Sequence, residues 1–398
     1  MKKSLIALAA LASVAGVAQA QSTVTVYGVL DVGYGDNTKK IDGVQQGQKA
    51  LAFNNFSSSR FGLKGTEDLG AGLKAGFTIE TGISSNTTTG STGYLPGTTT
   101  APTVGGTTGT TIDATTMGGR ELNATISFPT GTDLKAGFGS TAVRDIVLAY
   151  DAGNGSNAVG NILVNDTQFS SNRATQLYLS QTLGGLKFGA GLAQNTTTQD
   201  GKNDTKANGY SVAAQYTLGA FSAAAAYQNS KTATNAVAAV ANTGTLGTGV
   251  LTLGSAAVAA VDKNVKTTIV GASYDLGVAK LFAEYGEVKT ENNTAAVIAG
   301  EGKRSGTSVG VQVPVGKFTP YAQFSTGKVD QAQTAASAAS RESRDYKGYS
   351  VGTKYDLSKR TYAYLHYGDT KLDAGSVPAT NGKQVKNTQT TVGVVHNF

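Results

Sequence analysis

The stretch Val24-Thr25-Val26-Tyr27-Gly28-Val29-Leu30-Asp31-Val32-Gly33-Tyr34 decides the fold class. Its even positions hold Val, Leu, Tyr or Gly, whereas its odd positions include Thr25, Asp31 and Gly33. Successive side chains of a β-strand point to opposite faces of the sheet. The alternation therefore predicts a strand with one apolar face and one mixed face.

The same alternation recurs along the chain, with charged residues on one parity only. Phe61 and Leu63 alternate with Arg60 and Lys64, and comparable segments lie at 73–80, 134–138, 186–190 and 349–355. Divided at its turn signals, the chain contains about sixteen such segments of roughly 10 residues. That is the length a tilted strand needs to cross the hydrocarbon layer of a membrane.

Short and long connections alternate between these segments. The short ones are Thr66–Gly70, Pro129–Gly131, Leu183–Gly185, Leu218–Ala220, Asp275–Gly277, Pro314–Gly316 and Asp356–Lys359. The long ones are polar and include 84–117, 141–171, 231–264 and 329–344. Turns at one rim and loops at the other predict an all-β fold: a 16-stranded antiparallel transmembrane β-barrel with short periplasmic turns and long extracellular loops.

A soluble β-sandwich or barrel is the alternative explanation of alternating strands. A closed sheet of sixteen strands with its apolar face inward would enclose a space too large for side chains to fill. An apolar face toward lipid and a polar lumen remove that difficulty, so the membrane barrel is favoured.

The N-terminus predicts export. Lys2 and Lys3, an apolar run from Leu5 to Val17 and Ala18-Gln19-Ala20 have the order of a secretory signal peptide. We therefore expect residues 1–20 to be the signal peptide and residues 21–398 to form the barrel.

The Thr/Gly/Ser-rich tract 84–116 is expected to be a surface loop. The Ala/Val-rich stretch 236–261 is compatible either with strands that extend beyond the membrane or with a short helix.

Composition argues against other classes of function. The formal net charge of +7 is spread along the chain rather than clustered, so nucleic-acid binding is not indicated. The absence of Cys excludes thiol chemistry, and the only histidines are His366 and His396. Neither has a catalytic motif or a metal-ligand spacing beside it. No enzyme, metal site or cofactor is expected.

Two motifs closely resemble those of Gram-negative general porins of the neisserial and Burkholderia-like branch. They are Ser22-Thr23-Val24-Thr25-Val26-Tyr27-Gly28-Val29-Leu30-Asp31 and Ser59-Arg60-Phe61-Gly62-Leu63-Lys64-Gly65-Thr66-Glu67-Asp68-Leu69-Gly70. The final stretch Thr391–Phe398 also resembles the terminal strand of that family. The resemblance implies a homotrimer in the cell outer membrane, in contact with outer-membrane lipid and lipopolysaccharide. It further implies that Phe398 is an assembly signal for the barrel-assembly machinery and that the third long loop folds into the barrel as a constriction.

The candidate constriction residues come from parity and from the resemblance. Arg60, Lys64, Lys74 and Glu80 share the lumen parity of adjacent strands. The resemblance adds two basic wall residues, Arg120 and Arg173, and the third long loop contributes charges opposite this wall: Arg144, Asp145, Asp151 and Asp166. The arginine that such porins carry near the end of the fifth strand is missing around Gly137 and Phe138, which predicts a wider or less basic eyelet.

A pore selects solutes by its diameter, hydration and wall charge rather than by a catalytic group. The expected function is a passive diffusion channel for small hydrophilic solutes and ions, with a weak preference for anions. The alternative is a structural or adhesive barrel whose long loops bind partners. The two differ in the lumen, because a plugged barrel would conduct no ions.

Overall fold

The computed structural model describes residues 23–86, 109–112, 118–153, 157–170, 172–199, 202–234, 261–292, 301–332, 341–374 and 384–398. The predicted signal peptide, most of the tract 84–116 and all of 236–261 except Val261 lie outside these residues. Within the described residues, no helix is long and apolar enough to span a membrane.

Strands make up most of the described chain. They are β1 (Thr23–Ile41), β2 (Val44–Phe53), β3 (Arg60–Gly70), β4 (Leu73–Asn86), β5 (Gly109–Ile112), β6 (Glu121–Ser127), β7 (Thr132–Ser140), β8 (Arg173–Leu183), β9 (Leu186–Gln199), β10 (Lys202–Leu218), β11 (Phe221–Thr234), β12 (Val261–Asp275), β13 (Lys280–Asn292), β14 (Gly302–Gln312), β15 (Phe318–Ala332), β16 (Arg341–Asp356), β17 (Thr361–Leu372) and β18 (Val385–Asn397). Two short helices, α1 (Ala142–Ala149) and α2 (Thr167–Ser170), lie between β7 and β8.

Sixteen of the eighteen described strands form one closed antiparallel barrel. Strands β2 and β5 are not part of the barrel wall. Among the described residues each pairs with one strand only, β2 with β1 and β5 with β4. The other strands pair in sequence order, with β1 joined to β3 and β4 joined to β6. The barrel closes where β1 pairs with β18, from Val29 opposite Asn397 to Ile41 opposite Val385. The prediction of a 16-stranded barrel is confirmed.

The predicted short turns lie together at one rim. Gly184 and Gly219 adopt φ values of +57° and +56°, a left-handed conformation that a side chain with a Cβ disfavours, and each stands at a short turn. The long-loop ends of the strands reach farther than predicted. Strand β11 continues to Thr234 and β12 begins at Val261, so polar residues assigned to a loop extend the barrel wall.

The alternation of faces on β1 is confirmed by exposure. Val24 and Val26 are 64% and 55% exposed on the outer surface, whereas Asp31 is fully buried inside the barrel. Several inward positions of β11 to β16 are occupied by Ala or Gly, with Ala224, Ala226, Gly271 and Gly286 among them. Small residues on that part of the wall leave room for a segment of chain inside the barrel.

Candidate pore constriction

The connection between β7 and β8 folds into the barrel; we call its described residues, 141–153, 157–170 and 172, the inward loop. It begins with α1, whose buried face consists of Val143, Ile146 and Val147. These side chains join a cluster with Ala226 and Ile269 of the wall. Burial of this apolar face, at about 25 cal/mol per Å², drives the helix against the wall rather than into the aqueous lumen.

Glycines of the wall accept the large side chains of the inward loop. A Cβ added at Gly271 would lie 2.3 Å from Cδ2 of Tyr150, and one added at Gly286 would lie 2.7 Å from Cζ of Phe169. The Tyr150 hydroxyl reaches Ser222 Oγ at 2.8 Å. The wall therefore has a shape that fits this loop.

Hydrogen bonds hold the rest of the inward loop to later strands. Gln312 Nε2 donates to the Ala152 carbonyl at 2.7 Å, and the backbone amide of Val159 donates to Gln389 Oε1 at 2.9 Å. Asn161 Nδ2 donates to Asp151 Oδ1 at 3.0 Å and to Glu284 Oε1 at 2.6 Å. The loop is thus fixed along its path by polar wall residues, in addition to its apolar packing.

A second segment, residues 54–59, also folds inward; we call it the inward turn. The buried Asp31 carboxylate accepts hydrogen bonds from the backbone amides of Phe56 and Ser57, both at 2.6 Å, and from the Tyr364 hydroxyl at 2.7 Å. The Phe56 ring stacks on Tyr364 with 4.7 Å between centroids. Asp31 therefore ties the inward turn to the wall formed by β1 and β17.

The inward turn meets the inward loop at Asn157. The backbone N–H of Asn157 donates to the Phe56 carbonyl at 3.1 Å, and the Asn157 side-chain Nδ2 donates to the Asn54 carbonyl at 2.9 Å. Ser58 Oγ donates to Asn157 Oδ1 at 3.1 Å. The two segments consequently form one continuous inner structure.

Four arginines lie on the side of the lumen where β3, β6 and β8 begin; we call Arg60, Arg120, Arg144 and Arg173 the arginine group. The charge of Arg120 acts on each of the other three. Arg60 is more open to the lumen than Arg120, since their side chains are 30% and 17% exposed. These side chains form a concentrated positive surface inside the barrel.

Glu80 partly neutralises this surface. Its carboxylate accepts from Arg120 Nε at 2.6 Å, lies 3.6 Å from Arg60 Nε and accepts from the Tyr27 hydroxyl at 3.0 Å. Arg60 also donates through Nη1 to the Ser58 carbonyl of the inward turn at 2.9 Å. One carboxylate shared by two arginines leaves an excess of positive charge.

Helix α1 adds one charge of each sign. Burial lowers the pKa of the Arg144 guanidinium, and the charge of Arg120 lowers it further. Burial also raises the pKa of the Asp145 carboxyl, which Lys135 and Arg144 oppose. Asp145 lines the same cavity as Lys135 and Lys187, and part of its surface stays open to the lumen.

The comparisons with known proteins decide the family. The sequence profile of the family described as Gram-negative porin matches residues 7–375. The chain belongs to the Gram-negative porin family. This porin is therefore a passive channel of the outer membrane.

Individual relatives agree with the family. Outer membrane porin protein 32 of Delftia acidovorans is 29% identical over the whole of both chains. An outer membrane porin protein of Bordetella pertussis is 43% identical over 96 residues, which cover 21% of this chain and 25% of that one.

Solved structures show the same fold. An anion-selective porin from Comamonas acidovorans has a TM-score of 0.62 at 23% identity, over 95% of this porin and all of that chain. OmpT of Vibrio cholerae, in a variant with one loop deleted, has a TM-score of 0.61 at 16% identity over 95% and 99% of the two chains.

The remaining predicted residues of the porin lie apart from the arginine group. Lys64 stands over the Tyr27 ring at 5.3 Å, and Lys74 is exposed near the rim of short turns. Asp151 is buried beside Glu284 of β13, while Asp166 pairs with Arg304 of β14 at 3.0 Å. Asp166 therefore binds the inward loop to β14, whereas Asp151 accepts a hydrogen bond from Asn161 of the same loop, and Asn161 in turn bonds Glu284 of the wall.

Sequence reasoning missed several residues that build this inner structure, notably Asp31, Glu284 and Arg304. Each lies at an inward position of a strand, so the alternation of faces along the strand could have placed it on the lumen side. Asp31 belongs to one of the two porin-like motifs, but nothing in its local sequence indicates that it accepts hydrogen bonds from residues 56 and 57.

Proposed function

We propose that this porin admits small hydrophilic solutes and ions through the space beside the arginine group, with a weak preference for anions. The proposal rests on the balance of charge at the arginine group, where four arginines stand near two carboxylates, Glu80 and Glu121. Converging positive charges in a frame of low dielectric raise the local concentration of anions. Salt screens this effect over about 10 Å at 0.1 M, so the preference is greatest in dilute salt.

The balance of charge at the arginine group supports a preference for anions. Glu80 is shared between Arg60 and Arg120, so positive charge remains in excess where solutes pass. Partial neutralisation by Glu80 explains why we propose a weak rather than a strict preference.

Reversal potentials in a planar bilayer under a salt gradient test the proposal. We expect wild-type protein to show a reversal potential of anion sign, and Arg60→Ala to move it toward zero because one lumen charge is removed. Glu80→Gln removes the opposing carboxylate and should move it the other way. Lys317→Ala, in a turn at the rim, is the matched control and should change little. A cation-selective wild-type channel would contradict the proposal.

We further propose the biological setting. Residues 1–20 are removed as a signal peptide, the porin assembles as a homotrimer, and it contacts outer-membrane lipid and lipopolysaccharide. Phe398, whose backbone amide donates to the Gly28 carbonyl at 3.1 Å, serves as the signal read by the barrel-assembly machinery.

We propose no catalytic role: His366 lies against Tyr321, 2.6 Å from its hydroxyl, and His396 Nδ1 lies 2.9 Å from Thr361 Oγ1.

A further inference from the structure

A cavity lies beneath helix α1 inside the barrel; we call it the lower cavity. Its roof contains Asp145 and Ile146 of α1, and its walls are residues of β6 to β10. Asp133 and Lys187, each two residues after a short turn, place its lower end toward the rim of short turns. Its volume is about 260 Å³, room for roughly nine water molecules at about 30 Å³ each. The lower cavity therefore suits a small polar solute rather than a single ion.

Two glycines leave space for a tyrosine in the cavity wall. A Cβ added at Gly189 would lie 2.3 Å from the Tyr178 hydroxyl oxygen, and one added at Gly191 would lie 2.9 Å from Tyr178 Cδ2. Lys135, opposite Tyr178 on the adjacent strand β7, has its Nζ 5.9 Å from the centroid of the tyrosine ring. At this distance the ring attracts the ammonium group and holds it beside the cavity.

Charges of both signs surround the lower cavity. The four charged lining residues are Lys135, Lys187, Asp133 and Asp145. None of the four has an ion-pair partner in the part of the chain that the structure describes. The charges of Lys135 and Lys187 nevertheless act on Asp145. Opposite charges that line one space without contacting each other leave an electric field across that space.

Uncharged polar side chains complete the lining. They are Tyr178, Ser180 and Gln215. Among the described residues, none of these three side chains has a hydrogen-bond partner in the protein. Hydroxyl and amide groups both donate and accept hydrogen bonds, so they can bind either end of a dipolar solute.

A second cavity, above α1, provides a contrast. Its volume is also about 260 Å³, and it is lined by residues at the loop ends of the strands, including Asn229 and Ser230. Arg173 is the one charged residue among its described lining residues. The upper cavity thus continues the positive surface of the arginine group, whereas the lower cavity combines both signs.

We propose that the lower cavity is a weak binding site for a small zwitterion, such as an α-amino acid, on its way past the arginine group. The proposal rests on the proposed channel function and adds a class of solute to it. The carboxylate of the solute would contact Lys135 or Lys187, while its ammonium group would contact Asp145.

Other charge types fit the lower cavity less well. A dicarboxylate would bring negative charge toward Asp133 and Asp145, and a cation would meet the lysines after passing the arginine group. Like charges brought together in this way oppose binding. A zwitterion has no net charge to oppose its passage, and a weak site beside the path concentrates it without retaining it.

Four solutes of nearly equal size separate the zwitterion from its parts. Serine carries both charges, glycerate has a hydroxyl in place of the ammonium group, serinol has a hydroxymethyl in place of the carboxylate, and glycerol has neither charge. Their entry into proteoliposomes that contain the full-length porin is followed by stopped-flow light scattering, in the presence of permeant counter-ions. We expect the initial rate for serine to saturate with concentration, whereas that for glycerol should rise linearly.

Two variants, Asp145→Asn and Lys187→Gln, each remove one charge without adding bulk. We expect the rate for dilute serine to fall about threefold in both, because each variant loses one of two contacts at a partly exposed site. The rate for glycerate should rise in Asp145→Asn and fall in Lys187→Gln. The rate for glycerol should stay unchanged in both. Lys317→Gln, in a turn at the rim, is the matched control and should change none of the rates.

Three results would overturn the proposal. Serine rates that change in opposite directions in the two variants, as expected for glycerate, would show that only the carboxylate of serine is recognised. A linear dependence on serine concentration in the wild type would show that no site exists. An equal fall for serine and glycerol would show that the variants narrow the pore. A wild-type protein that admits none of the four solutes would contradict the proposed channel function instead.

Discussion

The lumen wall of this porin has two parts, one that packs against the inward loop and one that carries charge toward the lumen. On β11 to β16 several inward positions are glycine or alanine, and the inward loop covers these with Tyr150, Ile162 and Phe169. On β3, at the start of β6 and at the start of β8, the inward residues are long and charged, as in Arg60, Arg120 and Arg173. The covered wall holds the loop, whereas the charged wall is left to act on solutes. The contrast teaches that the packing of the inward loop on one wall determines where Arg144 meets the arginines of the other wall.

The largest expected effect comes from filling the covered wall. Gly271→Val would place side-chain atoms within the Tyr150 ring, since even a Cβ lies 2.3 Å from it. Overpacking of this kind costs about 1–3 kcal/mol. We expect the inward loop to detach from the wall. The single-channel conductance should then be larger and noisier, and the unfolding temperature should be lower.

Ala272→Val is the matched control for that variant. Ala272 neighbours Gly271 on the same strand but faces outward, so the added methyl groups meet lipid or detergent. Its conductance should equal that of the wild type. An unchanged conductance in Gly271→Val would show that the loop does not limit the pore.

A smaller effect is expected where the two walls are joined. Asp31→Asn keeps one oxygen that can accept the two backbone hydrogen bonds at 2.6 Å, but these become neutral rather than charge-assisted, which costs about 1 kcal/mol. We expect a lower unfolding temperature and more frequent brief closures, because the inward turn holds Asn157 of the inward loop. Asp36→Asn, at an outward position of the same strand, should change neither property.

The barrel could be predicted from local sequence, but its interior could not. Alternation at 24–34 and the turns at Gly184 and Gly219 are local features, and each reports one strand or one turn. By contrast, Asn161 contacts Glu284, which lies 123 residues away, and this contact exists only once the barrel has closed. Parity placed Arg60 and Glu80 on the lumen side, while the meeting of Arg144 with Arg120 depends on how the inward loop packs.

The strand ends show a second limit of sequence reasoning. Beyond the membrane both faces of a strand meet water, so alternation disappears although the hydrogen-bonded ladder continues. The pairing of Thr234 with Val261 and of Lys231 with Asn264 belongs to this region, which the sequence predicted as loop. The missing arginine near Gly137 and Phe138 predicted a wider or less basic eyelet, whereas Arg144 of α1 brings a further positive charge to the arginine group.

The smallest expected effect concerns pH. Burial raises the pKa of Asp145, so this carboxyl takes up a proton at a higher pH than a free aspartate does. As the pH falls from 7 toward 4, loss of its negative charge leaves Arg144 and Lys135 less compensated, and the preference for anions should increase. Reversal potentials measured over that range test this expectation. Asp145→Asn should already have the greater preference at pH 7 and a flatter pH dependence. An equal pH dependence in both proteins would assign the effect to other carboxylates, of which Glu80 and Glu121 act on Arg144 most directly.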